Sequence, residues 1–160
     1  MTLSQEAFKK IDRELTKFPP DQRQSAVMAA LTIAQTEQGW LSAETMQEVA
    51  THIGMPPIAV YEVASFYTMY NLKPTGKFKL TICTNLPCQL MGATTCADHA
   101  KKTLGIGFNE TTADGMFTLK EGECFGACGD APVFTVNNHD LRAKITPEKF
   151  DTLVDTLKNA

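Results

Sequence analysis

The sequence predicts an α+β fold, in which an N-terminal helical domain precedes a domain that alternates strands and helices. Up to about residue 70, apolar residues recur only at helical spacing, every three or four positions. Beyond that point, short segments with alternating apolar and polar residues are separated by helical segments. These two patterns predict a helical domain over residues 1–73 and a second domain over residues 74–160.

The first domain contains only helical patterns. Phe8, Ile11 and Leu15 form one apolar stripe, which is typical of an amphipathic helix packed on one side. Residues 26–34 are apolar nearly all round, so the second helix is expected to lie centrally among the others. Capping and helix-breaking residues mark most of the predicted helix ends: Pro19–Pro20 after the first helix, Asp21 and Gly39 around the second, and Ser42 and Gly54 around the third. The fourth helix is predicted to begin near Pro57 and to run to about Met69.

The second domain combines strand and helix periods. Phe78, Leu80 and Ile82 alternate with polar residues, which predicts a half-buried strand over Lys77–Cys83. A helix over Leu90–Leu104 is predicted to follow it. The remaining predicted elements are a strand over Met116–Lys120, a hairpin of Pro132–Val136 and Leu141–Ile145, and a last helix capped by Thr146.

Four cysteines follow the first two strands of this domain. Those strands are joined by a helical crossover, so they are expected to be parallel with a right-handed connection. The carboxyl ends of parallel strands lie at the same edge of a sheet, where such folds place their sites. Cys83 and Cys88 leave the first strand at that edge, and the loop after the second strand carries Cys124 and Cys128. The four thiols are therefore expected to converge.

The spacing Cys83-x4-Cys88 and Cys124-x3-Cys128 favours iron–sulfur chemistry. Zinc ribbons and fingers mostly use gaps of two residues, whereas a gap of four opens the plant-type [2Fe–2S] ligand run. Two cysteine pairs from two loops also supply each iron of such a cluster with two thiolates. A zinc-stapled domain and a domain without metal remain open alternatives. No Cys-x-x-Cys is present, and Cys96, in the middle of a predicted helix, is excluded from the ligand set.

The second cysteine pair lies in a glycine-rich loop. Gly122, Gly126 and Gly129 let the backbone approach closely and adopt positive φ, so that amide N–H groups can point at sulfur. Such donors favour the extra negative charge of reduction and raise the potential. Three acidic side chains would lower the reduction potential where they are ionised and close to the sulfur atoms: Glu121, Glu123 and Asp130.

The composition excludes several classes of protein. A net charge of −3 argues against a broad nucleic-acid-binding surface, and the 43% apolar and 21% charged residues are typical of a globular protein. No apolar run suits a membrane span, and the first residues lack the basic-then-apolar order of a secretory signal. The odd number of cysteines, five, is a poor basis for a disulfide framework. A cytoplasmic location is therefore predicted. The absence of Gly-x-Gly-x-x-Gly predicts no dinucleotide site in this chain.

Three segments carry a resemblance to a known family: Phe66–Asn71, Ile82–Cys88 and Glu121–Val133. Over nearly its whole length, the chain resembles the small [2Fe–2S] subunit of the NADH-dehydrogenase module of respiratory complex I, the NADH:quinone oxidoreductase. The resemblance implies a thioredoxin-like second domain and a one-electron carrier that belongs to an oxidoreductase, with no independent catalysis by the isolated chain. It implies that the [2Fe–2S] ligands are the four thiols at matching positions, Cys83, Cys88, Cys124 and Cys128.

The resemblance also implies partners. The flavoprotein subunit that oxidises NADH is expected to bind both FMN and NADH, with the cluster of this chain near the flavin. Other peripheral-arm subunits of complex I are expected contacts, which places the chain on the cytoplasmic side of the inner membrane without direct membrane insertion. Phe66, Tyr67 and Tyr70 are expected to be either core residues or part of a docking surface, because so small a domain has little interior. The helical domain that carries them is expected to contribute to docking.

Two alternative interpretations accompany this one. NAD-dependent formate dehydrogenases and NAD-reducing hydrogenases use similar modules, and they would keep the electron-transfer role. An interaction module whose cysteines hold structural zinc belongs to another class of protein. It would be colourless and redox-silent, so absorption distinguishes it from an iron–sulfur protein.

Overall fold

The computed structural model describes residues 2–159, which divide into two compact units, one through Pro74 and one from Thr75. The first unit is helical, and the second combines helices with a five-stranded sheet. The predicted α+β fold is therefore confirmed. Within residues 2–159, no helix has both the length and the apolar composition needed to cross a membrane.

The helical unit packs around a core of aliphatic side chains. Its elements are α1 (Gln5–Leu15), a 3₁₀ helix (Pro20–Ala26), α2 (Val27–Gln38), α3 (Ala43–Ile53) and α4 (Pro57–Phe66). Ser4 and Ser42 cap α1 and α3 by accepting hydrogen bonds from backbone N–H groups. Gly39 and Gly54 end α2 and α3 in the left-handed conformation, as the sequence predicts. The largest fully buried side chains of this unit are Ile11, Leu31, Leu41, Val49, Ile53 and Val60.

Three details of the helical unit differ from the prediction. Asp21 does not cap an α-helix, because the segment after Pro19 forms a 3₁₀ helix with a non-helical residue, Gln22, inside it. Helix α4 ends at Phe66 rather than near Met69, since Tyr67 adopts an extended conformation. Tyr70 is buried, and its hydroxyl donates to the carbonyl oxygen of Met28 at 2.8 Å. Tyr70 is therefore a core residue and not part of a docking surface.

The second unit is built on one mixed sheet. Its elements are β1 (Phe78–Cys83), α5 (Leu86–Leu90), α6 (Ala93–Leu104), β2 (Glu110–Thr111), β3 (Phe117–Gly122), a 3₁₀ helix (Cys128–Asp130), β4 (Phe134–Val136), β5 (Asp140–Arg142) and α7 (Pro147–Lys158). The strand order is β2-β3-β1-β4-β5. Strands β1 and β3 are parallel, in register from Phe78 opposite Phe117 to Cys83 opposite Gly122. The predicted parallel pairing is confirmed, and every other pair in the sheet is antiparallel.

Several boundaries in this unit differ from the prediction. The helix predicted over Leu90–Leu104 begins only at Ala93, because Gly92 has a φ of 94°, and Leu90 ends the separate short helix α5. The two-residue strand β2 carries too short a pattern to be predicted. Strand β5 begins before the predicted Leu141–Ile145 and is shorter. The hairpin itself is confirmed, with Asn137 and Asn138 at positive φ.

Helices α6 and α7 pack against apolar side chains of the sheet. Leu80 and Ile82 of β1 join Phe117 of β3 and Phe150 of α7 in one buried cluster. Cys96 of α6 lies in the same cluster, and its thiol donates to the carbonyl oxygen of Ile145 at 3.3 Å. This packing fixes β1 and β3 side by side, so that the loops that leave their carboxyl ends start at adjacent points.

Candidate metal centre

The first cysteine pair is built into regular structure. Cys83 is the last residue of β1, and its N–H donates to the carbonyl oxygen of Val133 at 3.1 Å. Cys88 lies on α5, whose N-terminus is capped by the Asn85 side chain, which accepts from the N–H of Leu86. Both thiols are 1% exposed. The strand end and the capped helix therefore hold these two side chains beneath the surface.

The second cysteine pair follows β3: Cys124 lies in an irregular loop, and Cys128 is the first residue of the short 3₁₀ helix that ends it. Cys124 and Cys128 are both exposed, and their sulfur atoms are 3.5 Å apart. Gly126 has a φ of 73°, a conformation that side chains disfavour. Its N–H donates to the Cys124 sulfur at 3.3 Å. The loop thus directs a backbone donor at a sulfur, as the glycine pattern predicts.

The two pairs belong to one site. Cys83 and Cys88 form a small buried cluster with residues of α6 and of the chain before β4, and Phe125 and Ala127 of the second loop pack against it. The pKa of the Cys83 thiol is raised to about 11, first by burial and then by the neighbouring thiols of Cys88 and Cys124. An N–H donated by Asn85 opposes this rise. Thiols of both loops therefore interact with one another.

The pKa of the Cys128 thiol, in the second pair, is also raised by thiols of both pairs. Its pKa is raised first by the hydrogen bond with Cys124 and by desolvation, and then by the nearby thiols of Cys124 and Cys88. Its own N–H has the opposite effect on the pKa. The raised pKa values favour the neutral, protonated thiols, whereas a bound metal ion would favour the thiolate forms.

Polar side chains join the two loops across the site. The Thr84 hydroxyl donates to Glu121 at 2.8 Å, and the Asn85 side-chain amide donates to Glu123 at 3.3 Å. The Thr84 N–H also donates to the carbonyl oxygen of Gly122 at 3.1 Å. In the sequence the two glutamates are recognisable only as charges, and these bonds are not predictable from it. The sequence hints at such bonds only in that a polar residue stands next to one cysteine of each pair: Thr84 follows Cys83, and Glu123 precedes Cys124.

The donor set fits a cluster of two metal ions. Its thiols come as two pairs, Cys83 with Cys88 and Cys124 with Cys128, and a [2Fe–2S] cluster requires two thiolates on each iron. Within the described residues, no group of three or more Cys, His, Asp or Glu side chains is placed so that it could hold a metal ion. Cys96 lies in the separate core of α6 and α7, outside this site.

A sequence model of the family described as thioredoxin-like [2Fe–2S] ferredoxin matches residues 11–158. A subunit of the NADH-quinone oxidoreductase of Rickettsia bellii is 42% identical over 146 residues, which cover 91% of this chain and 87% of that protein. Another such subunit, from the NADH-quinone oxidoreductase of Thermus thermophilus, is 38% identical over 92% of this chain and 82% of its own length. The mitochondrial NADH dehydrogenase [ubiquinone] flavoprotein 2 of Dictyostelium discoideum is 41% identical over 98% of this chain and 63% of its own length.

Among solved structures, an NAD⁺-reducing [NiFe]-hydrogenase in its H₂-reduced state is similar in fold. The TM-score is 0.70 with 19% sequence identity, over 81% of this chain. This chain spans only 22% of the hydrogenase chain that it matches. At that identity the likeness concerns the fold alone.

Proposed function

The chain belongs to the thioredoxin-like [2Fe–2S] ferredoxin family, and from that premise we propose that it is an electron-transfer subunit of an NADH:quinone oxidoreductase, respiratory complex I. Family membership confirms the predicted thioredoxin-like fold and the predicted [2Fe–2S] cofactor. The relatives that are 38–42% identical over most of both chains are subunits of NADH-quinone oxidoreductases, which supports this complex over a hydrogenase or a formate dehydrogenase.

The observation that carries the proposal is the pairing of thiols at the carboxyl edge of β1 and β3. The four side chains that would hold the cluster are Cys83, Cys88, Cys124 and Cys128. A bound [2Fe–2S] cluster supplies one-electron redox chemistry. The protein supplies ligands, burial and hydrogen bonds, and these set how readily an electron is accepted.

Each loop contributes a different environment to the proposed ligands. The first pair is buried, which keeps water away from one side of the site. Backbone N–H groups of Asn85 and Gly126 donate to Cys83 and Cys124, and these donors stabilise the added negative charge of the reduced state. Glu121 and Glu123 precede Cys124 along the chain and bond Thr84 and Asn85, and their negative charge has the opposite effect on the reduction potential.

The proposed partner is the flavoprotein subunit that binds FMN and NADH. Three apolar side chains of the Cys88 segment are exposed: Leu86 at 63%, Leu90 at 77% and Met91 at 62%. Adjacent exposed apolar side chains are typical of surfaces that a protein partner covers. Contacts with other peripheral-arm subunits and a place on the cytoplasmic side of the inner membrane, through the assembled complex, complete the proposal.

The proposal is tested by following the cluster-loaded chain anaerobically with NADH, with and without the purified flavoprotein subunit. Low-temperature EPR is expected to show reduction of the cluster only when the flavoprotein is present. The Cys96→Ser variant is a matched control, since its thiol lies outside the site, and it should behave like the unmodified chain. Reduction of ferricyanide by NADH with this chain alone would contradict the proposal that the flavoprotein oxidises NADH and this chain only carries electrons.

A further inference from the structure

Asn85 makes contacts that lead to three of the four proposed ligands. Its backbone N–H donates to the Cys83 sulfur. Its side-chain oxygen accepts from the N–H of Leu86 at 2.8 Å and so caps α5, the helix that carries Cys88. Its side-chain amide donates to Glu123 at 3.3 Å, immediately before Cys124. One half-buried side chain thus connects the two cysteine loops.

We infer that Asn85 is a positioning residue, which holds the first cysteine pair and the second at the separation that the metal centre requires. The inference rests on the proposed function, because it takes the four cysteines as cluster ligands. Residues that hydrogen-bond to metal ligands and orient them contribute strongly to metal retention. Their replacement typically lowers the metal affinity roughly 10–100-fold. Asn85 acts through the loops and does not itself provide a ligand.

An asparagine suits this position because its amide has both an acceptor and a donor. The oxygen caps α5, and the NH₂ group reaches Glu123. Aspartate also caps helices well, yet it has no NH₂ group, and its charge would face the Glu123 carboxylate. Asn85→Asp is therefore expected to keep the cap of α5 and to lose only the bond between the loops.

The bond between Thr84 and Glu121 connects the same two loops, but the Thr84 side chain caps no helix. Asn85 differs in joining the cap of α5 to the second loop through a single amide group. The position of Cys88 along α5 is thereby tied to the position of Glu123. This double role makes Asn85 the sharper position to test.

The experiment uses the full chain loaded with its cluster and measures the rate of iron release to a chelator and the reduction potential. Asn85→Asp should release iron roughly tenfold faster and lower the potential. Adding Glu123→Gln exchanges donor and acceptor, because the glutamine NH₂ can donate to the new carboxylate, and it restores the net charge. The double variant should return both the release rate and the potential toward those of the unmodified chain.

A second pair of variants leaves the cap of α5 intact. Glu123→Ala removes the acceptor, and it should also release iron roughly tenfold faster. Asp130→Ala is the matched control, since it removes a carboxylate near Cys128 and Asp130 is not among the bonds between the loops in the described part of the chain. Asp130→Ala should release iron at about the rate of the unmodified chain.

The possible results separate this inference from the proposed function. Unchanged iron release in Asn85→Asp and in Glu123→Ala would overturn the positioning role while the unmodified chain still holds its cluster. Failure of the double variant to recover would also overturn it, since loss of folding and not loss of the bond would then explain Asn85→Asp. An unmodified chain without iron and sulfide would contradict the proposed function, and this inference with it.

Discussion

The two cysteine loops differ in how the fold holds them. Cys83 and Cys88 are 1% exposed, on the end of a central strand and on a capped helix. Cys124 and Cys128 are exposed, in a loop that includes a glycine at positive φ and a short 3₁₀ helix. The first pair is thus part of the folded core. The second pair depends on a loop and on the hydrogen bonds that join Glu121 and Glu123 to Thr84 and Asn85.

This difference indicates that the two loops have different tasks. The buried pair provides a fixed half of the site, because moving it would require moving β1 and α5. The exposed pair lies outside the sheet, so a change there need not move a strand. Stability and cofactor retention should therefore respond differently to changes in the two loops.

The largest expected effect is loss of the cluster from any ligand variant. Replacing Cys83, Cys88, Cys124 or Cys128 with serine should remove most of the iron, because thiolates are the ligands of such clusters. The Cys96→Ser control should keep the iron content unchanged. Iron and acid-labile sulfide analysis of the purified variants makes the comparison, and iron loss from the Cys96 variant would contradict the ligand assignment.

The same variants without cluster should separate the two loops by stability. Serine at position 83 or 88 buries a hydroxyl group, which should lower the free energy of unfolding by about 1–3 kcal/mol. Serine at the exposed positions 124 and 128 should change it by no more than about 0.5 kcal/mol. Thermal unfolding of the cluster-free chains measures this difference, and equal destabilisation in all four would refute the asymmetry between the loops.

An effect on stability of similar size is expected at Gly122, where β3 leads into the second loop. An added Cβ would lie 2.6 Å from the Phe125 ring and 2.7 Å from the Thr81 methyl group, so Gly122→Ala must displace both. The expected cost is about 1–3 kcal/mol of stability, together with faster cluster loss. Gly129→Ala is the matched control, since its Cβ would meet nothing within 4 Å. Equal rates of iron release to a chelator from the two variants would show that the packing of Phe125 does not help to retain the cluster.

The smallest effect is expected at Gly126, where space is open but the backbone has a φ of 73°. Gly126→Ala should destabilise the loop by about 1 kcal/mol through its left-handed conformation. Gly126→Asn should cost less, because asparagine tolerates that conformation better. Chelator-driven iron release from the two variants tests the order, and a faster release from the asparagine variant would argue against backbone strain as the cause.

The sequence predicts most of the fold that places this site. The crossover between two alternating segments predicts that β1 and β3 are parallel, and the register of Cys83 opposite Gly122 brings the two loops to one edge. Helix ends at Gly39 and Gly54 are predicted because glycine adopts positive φ readily. These features follow from local periodicity and from general rules of chain connection.

Other features depend on three-dimensional contacts that local patterns do not encode. Helix α5 is too short to show a helical period, although Asn85 and Pro87 are suitable residues for its first turn. Tyr70 packs in the core of the helical unit, and its hydroxyl bonds Met28, far away in the sequence. The bonds from Thr84 and Asn85 to the second loop likewise join distant segments. The assignment of the four cysteines as ligands remains a prediction.

The most direct test of the account is one measurement on the unmodified chain purified without oxygen. Iron and acid-labile sulfide are counted, and low-temperature EPR is recorded before and after dithionite. The account predicts about two irons and two sulfides per chain and a spin-half signal that appears only after reduction. A colourless chain that contains zinc and gives no such signal would contradict it.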